Sequence, residues 1–372
     1  MESGDSLMNI PKASGIPTGY AQPSHQHVNY VGTDGDLHEL WWNGTWHYNN
    51  LSVSSGAVGD DRPQGTVYGH AHPNGVWQHV YYKGLDNWAH ELFWDGGSWH
   101  HLNLSHHLGA QFGPDGPCHS HFNPVLQSHN VYFVGSGMVH ELWWHADHGW
   151  HTRNLSDETN APASATLSQA NGYTTPRDGV LHVNFRGDDR HIHELYHWEL
   201  KWRHNDLTAE TGAPDASTKD VPWGYVNPND DTQHVNYIGV DGHVHELWWD
   251  GAWHHNDLSL ASGFQRQATD LCQGYVTPEG WQHVPFQCGD TAIHILYWKD
   301  GTWSHFDAWD SMSGNECKDL HRAYTIPDQQ TLHITYLGTD RDVHELWSGR
   351  IAPWMPGFNH MTHANISRLA GE

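Results

Sequence analysis

The sequence repeats a histidine followed by an acid at regular intervals. The tripeptide His-Glu-Leu, or a near copy of it, has its histidine at positions 38, 90, 140, 193, 245, 294 and 344. Every copy carries the glutamate except copy 6, where Ile295 replaces it. Burying a carboxylate without a partner is costly. The repeat therefore predicts that each glutamate has a polar neighbour.

A second histidine precedes most of these glutamates and is the candidate neighbour. His234 precedes Glu246 by twelve residues, and Asp241-Gly242 lies between them. Because Asp-Gly favours a tight turn, a hairpin would place this imidazole beside the carboxylate. The corresponding histidines in other copies are His27, His79, His182 and His333. In copy 3 we expect the segment 127–130 to be shifted by one residue.

Tryptophan is the second unusual residue, with 22 in 372 positions. One tryptophan recurs after each His-Glu-Leu segment, at Trp46, Trp99, Trp150, Trp202, Trp253, Trp303 and Trp354. Indole planes pack against the CH-rich faces of sugars, while carboxylates and imidazoles bind sugar hydroxyls. This many tryptophans exceeds what a core needs, so the combination favours carbohydrate binding over packing alone. The histidine of His-Glu-Leu shares a strand face with apolar residues and is interpreted as structural.

The elements that position these residues are short strands. Copy 5 predicts strands at Gly224–Val226, Gln233–Ile238, His243–Trp249 and Trp253–Leu258, separated by turn residues. Three tight connections in a row indicate a four-stranded antiparallel meander. The stretch that follows, Leu260–Leu271, is interpreted as a link rather than a helix, because no segment keeps a helical period.

Seven copies at intervals of 49 to 53 residues account for almost the whole chain. Four strands in a unit of this length are typical of a β-propeller. We therefore predict an all-β fold, a single seven-bladed β-propeller domain over residues 1–372 with four antiparallel strands per blade. The predicted blades cover residues 16–58, 64–108, 117–158, 169–211, 221–262, 271–312 and 320–372. An open solenoid is the competing architecture.

Strand alternation predicts where the acid and the indoles meet. Glu246 and Trp249 are three residues apart, so they point to opposite faces of one sheet. The acidic face of one blade then meets the tryptophan face of the next. Each crevice between blades would hold a carboxylate, an imidazole and one or two indole planes.

Charge and composition exclude several classes of partner. Lys and Arg number 17 against 43 Asp and Glu, which gives a formal net charge of −26. Such a chain repels phosphate backbones, so we expect no nucleic acid partner. No stretch approaches the roughly 18 apolar residues of a membrane span, so no membrane insertion is expected. The start lacks a signal peptide pattern, which predicts a cytoplasmic protein or one secreted without a conventional signal peptide.

Cysteine and histidine give weaker predictions about bonds and metals. Cys272 and Cys288 are symmetric about Gly280, so a hairpin turning at 278–280 could place them opposite each other for a disulfide, although cytosolic thiols are usually reduced. The segment 193–197 reads His-Glu-Leu-Tyr-His, but on a strand its histidines lie about 13 Å apart, too far to share a metal. Zinc sites between histidines such as His243 and His245 stay an alternative. We expect no cofactor and no metal.

The repeat resembles the fungal and bacterial fucose-binding propeller lectins. Their blades read roughly Arg-Val-Tyr-Tyr, a turn, an Ile-x-Glu strand, then Trp-Asp-Gly and a further Trp. In this sequence 234–237 (His-Val-Asn-Tyr), 244–246 (Val-His-Glu), 249–251 (Trp-Asp-Gly) and Trp253 take the corresponding places. The resemblance implies glycan partners, with fucosylated ones among them, and sugar sites in the crevices between blades.

Carried over to this chain, the resemblance implies that two residues of one blade act with two tryptophans of the next. We number each crevice by the blade that supplies its glutamate. Crevice 1 takes His27, Glu39, Trp94 and Trp99. Crevice 2 takes His79, Glu91, Trp144 and Trp150. Crevice 4 takes His182, Glu194, Trp249 and Trp253. Crevice 5 takes His234, Glu246, Trp298 and Trp303. Crevice 7 closes the ring with His333, Glu345, Trp42 and Trp46.

The chain also departs from that pattern. Histidine replaces the family's arginine, which puts recognition of fucose itself in doubt. The ring has seven copies, whereas the fucose lectins close with six. Copy 6 has Ile295 and Pro285, and crevice 3 has His197 at a tryptophan position, so we expect five working crevices.

The predicted function is a non-catalytic, multivalent carbohydrate-binding lectin. A propeller glycosidase or lyase with one axial site is the first alternative, and it requires carboxylates unique to one blade, roughly 5–10 Å apart. No convincing pair of this kind occurs in the sequence. A protein-interaction scaffold is the second alternative.

Overall fold

The computed structural model describes residues 9–165, 168–218, 221–277, 280–312, 315–326, 329–349 and 361–372. Within this part of the chain seven antiparallel sheets, blades 1 to 7, follow one another in sequence. Blade 1 contains β1 (Thr18–Ala21), β2 (Gln26–Val31), β3 (Leu37–Trp42) and β4 (Trp46–Asn50). Blade 2 contains β5 (Tyr68–Ala71), β6 (Gln78–Lys83), β7 (Ala89–Trp94) and β8 (Trp99–Asn103). Blade 3 contains β9 (His119–Asn123), β10 (Ser128–Gly135), β11 (Met138–His145) and β12 (Gly149–Asn154).

The remaining blades repeat this order. Blade 4 contains β13 (Asn171–Thr174), β14 (Leu181–Arg186), β15 (Ile192–Trp198) and β16 (Lys201–Asp206). Blade 5 contains β17 (Trp223–Asn227), β18 (Thr232–Ile238), β19 (Val244–Trp249) and β20 (Trp253–Asp257). Blade 6 contains β21 (Ala268–Leu271), β22 (Tyr275–Val276), β23 (Gln282–Cys288), β24 (Ile293–Lys299) and β25 (Thr302–Asp307). Blade 7 contains β26 (Cys317–Ile326), β27 (Thr331–Gly338), β28 (Val343–Ser348) and β29 (Thr362–Asn365).

The blades close into a ring, which confirms the seven-bladed propeller. The first strand of each blade contacts that of the next, and β26 of blade 7 contacts β1. Apolar clusters join every pair of adjacent blades among the described residues. Strand alternation sends one set of side chains into each of these clusters, as Val28 and Tyr30 show by being fully buried. The strands described for each blade are consecutive in sequence, so none of them is exchanged across the seam between blades 7 and 1.

Repeated contacts between a tyrosine and the next blade join the sheets. Tyr324 of blade 7 donates to Oε1 of Gln26 in blade 1 (2.9 Å), as Tyr20 does to Gln78 in blade 2 (3.0 Å). The ring of Tyr324 also lies against Gly19, where an added Cβ would come within 2.1 Å of it. Gly19 is therefore required for blades 7 and 1 to approach this closely.

The seam repeats the backbone contact of the inner junctions. The amide of Ala13 donates to the carbonyl of Arg341 in blade 7 (2.9 Å). The amide of Ala216, in the link between blades 4 and 5, donates to the carbonyl of Arg190 at the same distance. An ion pair between Lys12 and Asp342 (2.6 Å) adds to the contact at the seam. The N-terminal segment thus takes the place of a link.

The axis of the ring is packed. The rings of Tyr68 from blade 2, His119 from blade 3 and Trp223 from blade 5 meet there, with centroids 4.9 Å to 6.5 Å apart. Trp223 is 1% exposed, and its indole N–H donates to the carbonyl of Leu271. Because blades 2 and 5 are not neighbours, this contact has to cross the axis.

In the described part of the chain a short α-helix follows the fourth strand of every blade except blade 6, so the prediction of links without helices was wrong. The helices are α1 (Leu51–Ser55), α2 (Leu104–His107), α3 (Leu155–Thr159), α4 (Leu207–Thr211), α5 (Leu258–Ser262) and α6 (Ile366–Gly371). Two 3₁₀ turns span Gly59–Asp61 and Trp309–Met312. In α1 the cap Asn50 accepts from the Val53 amide (3.0 Å), while the Ser52 hydroxyl accepts from the Leu37 amide (2.9 Å). One turn of helix leaves no apolar period, so the pattern analysis had no signal to detect.

The disulfide that the sequence left open is not formed. Cys272 and Cys288 are both free and buried. Tyr275 pairs with His283 and Leu271 with Phe286, so Cys272 does not lie opposite Cys288. Cys288 lies opposite Ala268, and the Cys272 amide donates to the carbonyl of Pro285. The two thiols are therefore on different rungs of the sheet.

Two further predictions concern single blades. In blade 3 the predicted shift is present: Asn130, not His129, takes the position that His234 has in blade 5. In blade 7 the fourth strand begins at Thr362, while Trp354 lies outside the described residues. No helix in the described ranges has the length and apolar character that crossing a bilayer requires.

Candidate functional site

Five blades carry a hydrogen-bonded histidine–glutamate pair, as the sequence analysis predicted. Each imidazole Nδ1 lies 2.8 Å to 2.9 Å from the glutamate Oε1. The pairs are His27–Glu39, His79–Glu91, His182–Glu194, His234–Glu246 and His333–Glu345. The hairpin register places the two side chains on the same face of neighbouring strands. The glutamates are 2% to 3% exposed, so they lie at the bottom of the crevices rather than at the rim.

Further donors hold the glutamates, and the sequence analysis missed them. Asn205 and Asn256 each donate to Oε2 of the glutamate of their own blade, at 3.0 Å. Tyr81 donates to Oε1 of Glu91 at 2.8 Å. Both asparagines stand three residues after the tryptophan that recurs near the start of the fourth strand, a spacing that Asn49 shares. This spacing was the available signal.

Three crevices contain cavities lined by all four of their predicted residues. Crevice 1 has a cavity of about 380 Å³, crevice 2 one of about 270 Å³ and crevice 4 one of about 460 Å³. In each the histidine–glutamate pair of one blade faces the two tryptophans of the next, as strand alternation predicted. The inner tryptophans Trp99 and Trp253 are 7% and 9% exposed, whereas Trp94 and Trp249 are half-buried. The second tryptophan of strand three is therefore the more available indole plane.

Crevice 2 has the most apolar lining of the three. Trp77, Phe93 and Leu102 join its two tryptophans. His129 also lines it, with its ring centroid 4.1 Å from that of His79, and its Nδ1 lies 2.9 Å from Nε2 of His70. Burial lowers the pKa of His129 to about 2 and lowers that of His70 as well, so both imidazoles are neutral at ordinary pH.

Crevice 4 is wider and more polar. Arg203, Asp178 and Gln233 line it together with its four predicted residues. Arg203 also forms an ion pair with Glu199 (3.0 Å) on the surface. Crevices 2 and 4 thus share one arrangement of acid, imidazole and indoles but differ in the groups around it.

The second nitrogen of the crevice histidine separates two groups of crevices. In crevices 5 and 7, Nε2 of His234 and His333 lies 2.8 Å from the hydroxyl of Thr232 and Thr331. In crevices 1, 2 and 4 the Nε2 atoms are buried and have no hydrogen-bond partner among the described residues. We call crevices 1, 2 and 4 the unpaired crevices and crevices 5 and 7 the threonine crevices.

The tryptophans of the threonine crevices lie at the predicted blade junctions. Trp303 packs against the apolar cluster between blades 5 and 6, and Trp46 against the cluster between blades 7 and 1. Trp298 and Trp42 lie opposite them on the neighbouring strand.

Crevices 3 and 6 depart from the others, as their sequences predicted. Glu141 of blade 3 accepts from Asn130 (3.0 Å) and lies 3.3 Å from Arg153. Burial raises the pKa of Glu141 to about 7, although Arg153 opposes this shift. In blade 6 Pro285 lies opposite Ile295, and burial lowers the pKa of His283 to about 3. The segment 193–197 lies on strand β15, as expected, which is not the helical geometry of a zinc protease.

The chain matches no protein-family model and no curated protein sequence. It is similar in structure to a fungal lectin from Aleuria aurantia described as a six-bladed β-propeller with fucose recognition (16% identity, 80% of this chain, 96% of that chain, TM-score 0.52). It is also similar to a protein from Arthrobotrys oligospora (12% identity, 80% and 87%, TM-score 0.54). The likeness to a lectin from Burkholderia pseudomallei covers more (12% identity, 95% and 100%, TM-score 0.66). These proteins share the propeller fold.

Proposed function

We propose that the chain is a multivalent carbohydrate-binding protein whose sugar sites are crevices between blades. One observation carries the proposal. In crevices 1, 2 and 4 a buried carboxylate–imidazole pair faces two indoles across a cavity of 270 Å³ to 460 Å³. This volume suits a monosaccharide, whose hydroxyls need planar polar partners and whose CH faces need an aromatic plane.

The similar structures support the sugar class without deciding the sugar. One of them is the Aleuria lectin in complex with α-methyl-L-fucoside. This chain has histidine where that lectin family has arginine. An imidazole presents one nitrogen to a ligand once the other binds the glutamate, whereas arginine presents a fork of N–H groups. We therefore propose glycan ligands, fucosylated ones included.

The geometry of the ring favours binding without catalysis. An axial catalytic site would need open space at the axis, which Trp223, Tyr68 and His119 occupy. Repeated crevices on one ring suit avidity, because several weak sites engage a glycan-coated surface together.

The test is a glycan array followed by titration calorimetry and tryptophan fluorescence with the monosaccharides that bind. We expect millimolar or tighter binding with more than one site per chain and a change in tryptophan emission. Binding to proteins but to no saccharide at millimolar concentration would contradict the proposal and favour an interaction scaffold. Turnover of a glycoside would favour an enzyme.

A further inference from the structure

A relay of hydrogen-bonded side chains runs beneath the turn of most blades. In blade 2, Nε2 of His90 bonds to Asp86 (2.9 Å) and Nδ1 of His90 bonds to Nε2 of His101 (2.9 Å). Blades 4, 5, 6 and 7 repeat this acid–histidine–histidine chain. The same histidine position is thus held by an acid on one side and faces an imidazole on the other.

The acid fixes the tautomer of the inner histidine. Because Asp86 accepts a hydrogen bond from Nε2–H, the Nδ1 atom of His90 carries a lone pair directed at His101. A carboxylate behind an imidazole in this manner is the usual outer partner of a metal-binding histidine. The relay therefore presents a pre-oriented nitrogen, and the neutral His101 can supply a second one from Nε2 by moving its proton to Nδ1.

Blade 2 adds a third ligand at a position where the compared blades have none. The Tyr82 hydroxyl donates to the backbone carbonyl of Asp61 (2.9 Å). Equivalent tyrosines of blades 1, 5 and 7 donate to the carbonyls of Pro11, Pro214 and Asn315. The same contact thus anchors the link in four blades, but only in blade 2 does the anchored residue have a carboxylate.

The three ligand atoms of blade 2 are close together. One atom each from Asp61, His90 and His101 lies within 4.8 Å of the others. Ligand atoms of a tetrahedral zinc ion with bonds near 2.1 Å lie about 3.4 Å apart. Zinc binding would therefore increase the distance between His90 Nδ1 and His101 Nε2, now 2.9 Å, by roughly 0.5 Å. The Asp61 carboxylate makes no hydrogen bond or ion pair with any described residue. Asp61 and His101 are partly exposed, which gives an ion access from solvent.

Other clusters with similar spacing are already engaged. In blade 6, Asp290 near Cys288 and His294 forms an ion pair with Arg266 (2.5 Å), and burial raises the pKa of the Cys288 thiol to about 12. In blades 4 and 5 the acids Asp206 and Asp257 bind His191 and His243 and also cap a helix. Their ligand capacity is therefore partly used.

We propose that Asp61, His90 and His101 form a zinc site in blade 2, with Asp86 positioning His90. Two imidazole nitrogens and one carboxylate oxygen suit Zn²⁺ and leave a fourth position for water. This site is separate from the sugar crevices, and it departs from the expectation of a metal-free protein stated in the sequence analysis.

The test is Zn²⁺ titration of the full chain against a chelating competitor, with Co²⁺ absorption as a second readout. We expect one tight equivalent in the parent chain. Asp61→Asn and His101→Gln should each weaken that equivalent at least tenfold, and Asp86→Asn by about tenfold. The matched control is His255→Gln, which removes the same outer histidine in blade 5.

The outcomes separate a site from unspecific binding by a histidine-rich chain. Equal zinc affinity in the parent chain and Asp61→Asn would overturn the proposal, and so would an equal loss in His255→Gln. Asp61 is partly exposed and its side chain bonds to no other residue in the described part of the chain, so its variant should fold even if His101→Gln does not. Circular dichroism of each variant in the absence of metal checks this point.

Discussion

The unpaired and threonine crevices share their glutamate, their imidazole and the next blade's tryptophans, yet the histidine meets different neighbours. The residue two positions before it decides the difference. It is Thr232 or Thr331 in the threonine crevices, where the hydroxyl binds Nε2. It is His25, Trp77 or Val180 in the unpaired crevices, where this residue lines the cavity.

This difference bears on how many crevices work. A buried imidazole nitrogen without a partner is costly, and a sugar hydroxyl can remove that cost. In a threonine crevice the protein supplies the hydroxyl itself, so a sugar would have to displace it. The comparison reduces the number of expected sites from five, as the sequence indicated, to three.

The largest expected effect comes from removing the acids of the unpaired crevices. The triple variant Glu39→Gln, Glu91→Gln and Glu194→Gln should lose roughly 10- to 100-fold in sugar affinity, because hydrogen bonds to a charged acceptor contribute about 1.5–3 kcal/mol. Calorimetry measures the loss. The double variant Glu246→Gln and Glu345→Gln is the control and should bind like the parent. A loss in both variants alike would abolish the distinction between the two groups.

Removing the outer indole planes should have a smaller effect. Trp94→Ala, Trp144→Ala and Trp249→Ala should each weaken their own crevice about tenfold, since aromatic contacts add to the apolar area buried. Trp42→Ala and Trp298→Ala, at the same position in the threonine crevices, should leave sugar binding unchanged. Fluorescence quenching measures both sets. If the control pair also weakens binding, the threonine crevices hold sugar too.

Exchanging the residue two positions before the crevice histidine should change the number of sugar sites by one. Val180→Thr supplies a hydroxyl in crevice 4, so stoichiometry should fall from three sites to two. Thr232→Val removes the hydroxyl in crevice 5 and should raise it to four. Both substitutions nearly conserve volume, but Thr232→Val leaves the buried Nε2 of His234 without a partner and should lower the unfolding free energy by about 1–3 kcal/mol, whereas Val180→Thr should change it less. An unchanged stoichiometry in both variants would show that Nε2 does not control access.

The smallest effect is a pH dependence of stability that both groups share. The hydrogen bond to Asp257 raises the pKa of His243 in blade 5. In blade 4 burial lowers the pKa of His191, but the hydrogen bond to Asp206 and the charges of Asp206, Asp189 and Asp215 together raise it. A histidine whose pKa is raised by folding stabilises the fold at pH values below its pKa in the unfolded chain, near 6.5. This contribution is lost as the pH rises through its pKa in the folded protein. Buried histidines whose pKa is lowered, such as His129 and His283, act in the opposite direction, so the measurement is the difference in unfolding free energy in urea between the parent and the double variant Asp206→Asn, Asp257→Asn. This difference should shrink slightly from about pH 6 to about pH 8. A difference that stays constant over this range would contradict the assignment to His191 and His243.

The repeated features were predictable from sequence because they follow from strand alternation. The spacing of His234 and Glu246 across Asp241-Gly242 predicts their hydrogen bond, and the offset of Glu246 and Trp249 predicts the crevice. In blade 3 the connection between β10 and β11 is the two-residue turn Ser136-Gly137, with positive φ at both residues, and this turn produces the shifted register that places Asn130 opposite Trp143.

Other features depend on contacts that periodicity does not encode. The strand register of blade 6 that separates the two cysteines is set by local backbone geometry. The choice between Thr232 and Val180 matters only because the imidazole turns Nε2 toward that position. Asp61 reaches the relay of blade 2 because the Tyr82 hydroxyl anchors a link that the sequence marks only as irregular.

The hydrogen bond from the Ala13 amide to the Arg341 carbonyl joins the same residue types at the same length as the one from Ala216 to Arg190. None of the described strands crosses between blades 7 and 1. The junction between blades 7 and 1 is therefore equivalent to the junction between blades 4 and 5. A circular permutant that joins the present termini by a flexible linker and opens between blades 4 and 5 should fold into the same molecule.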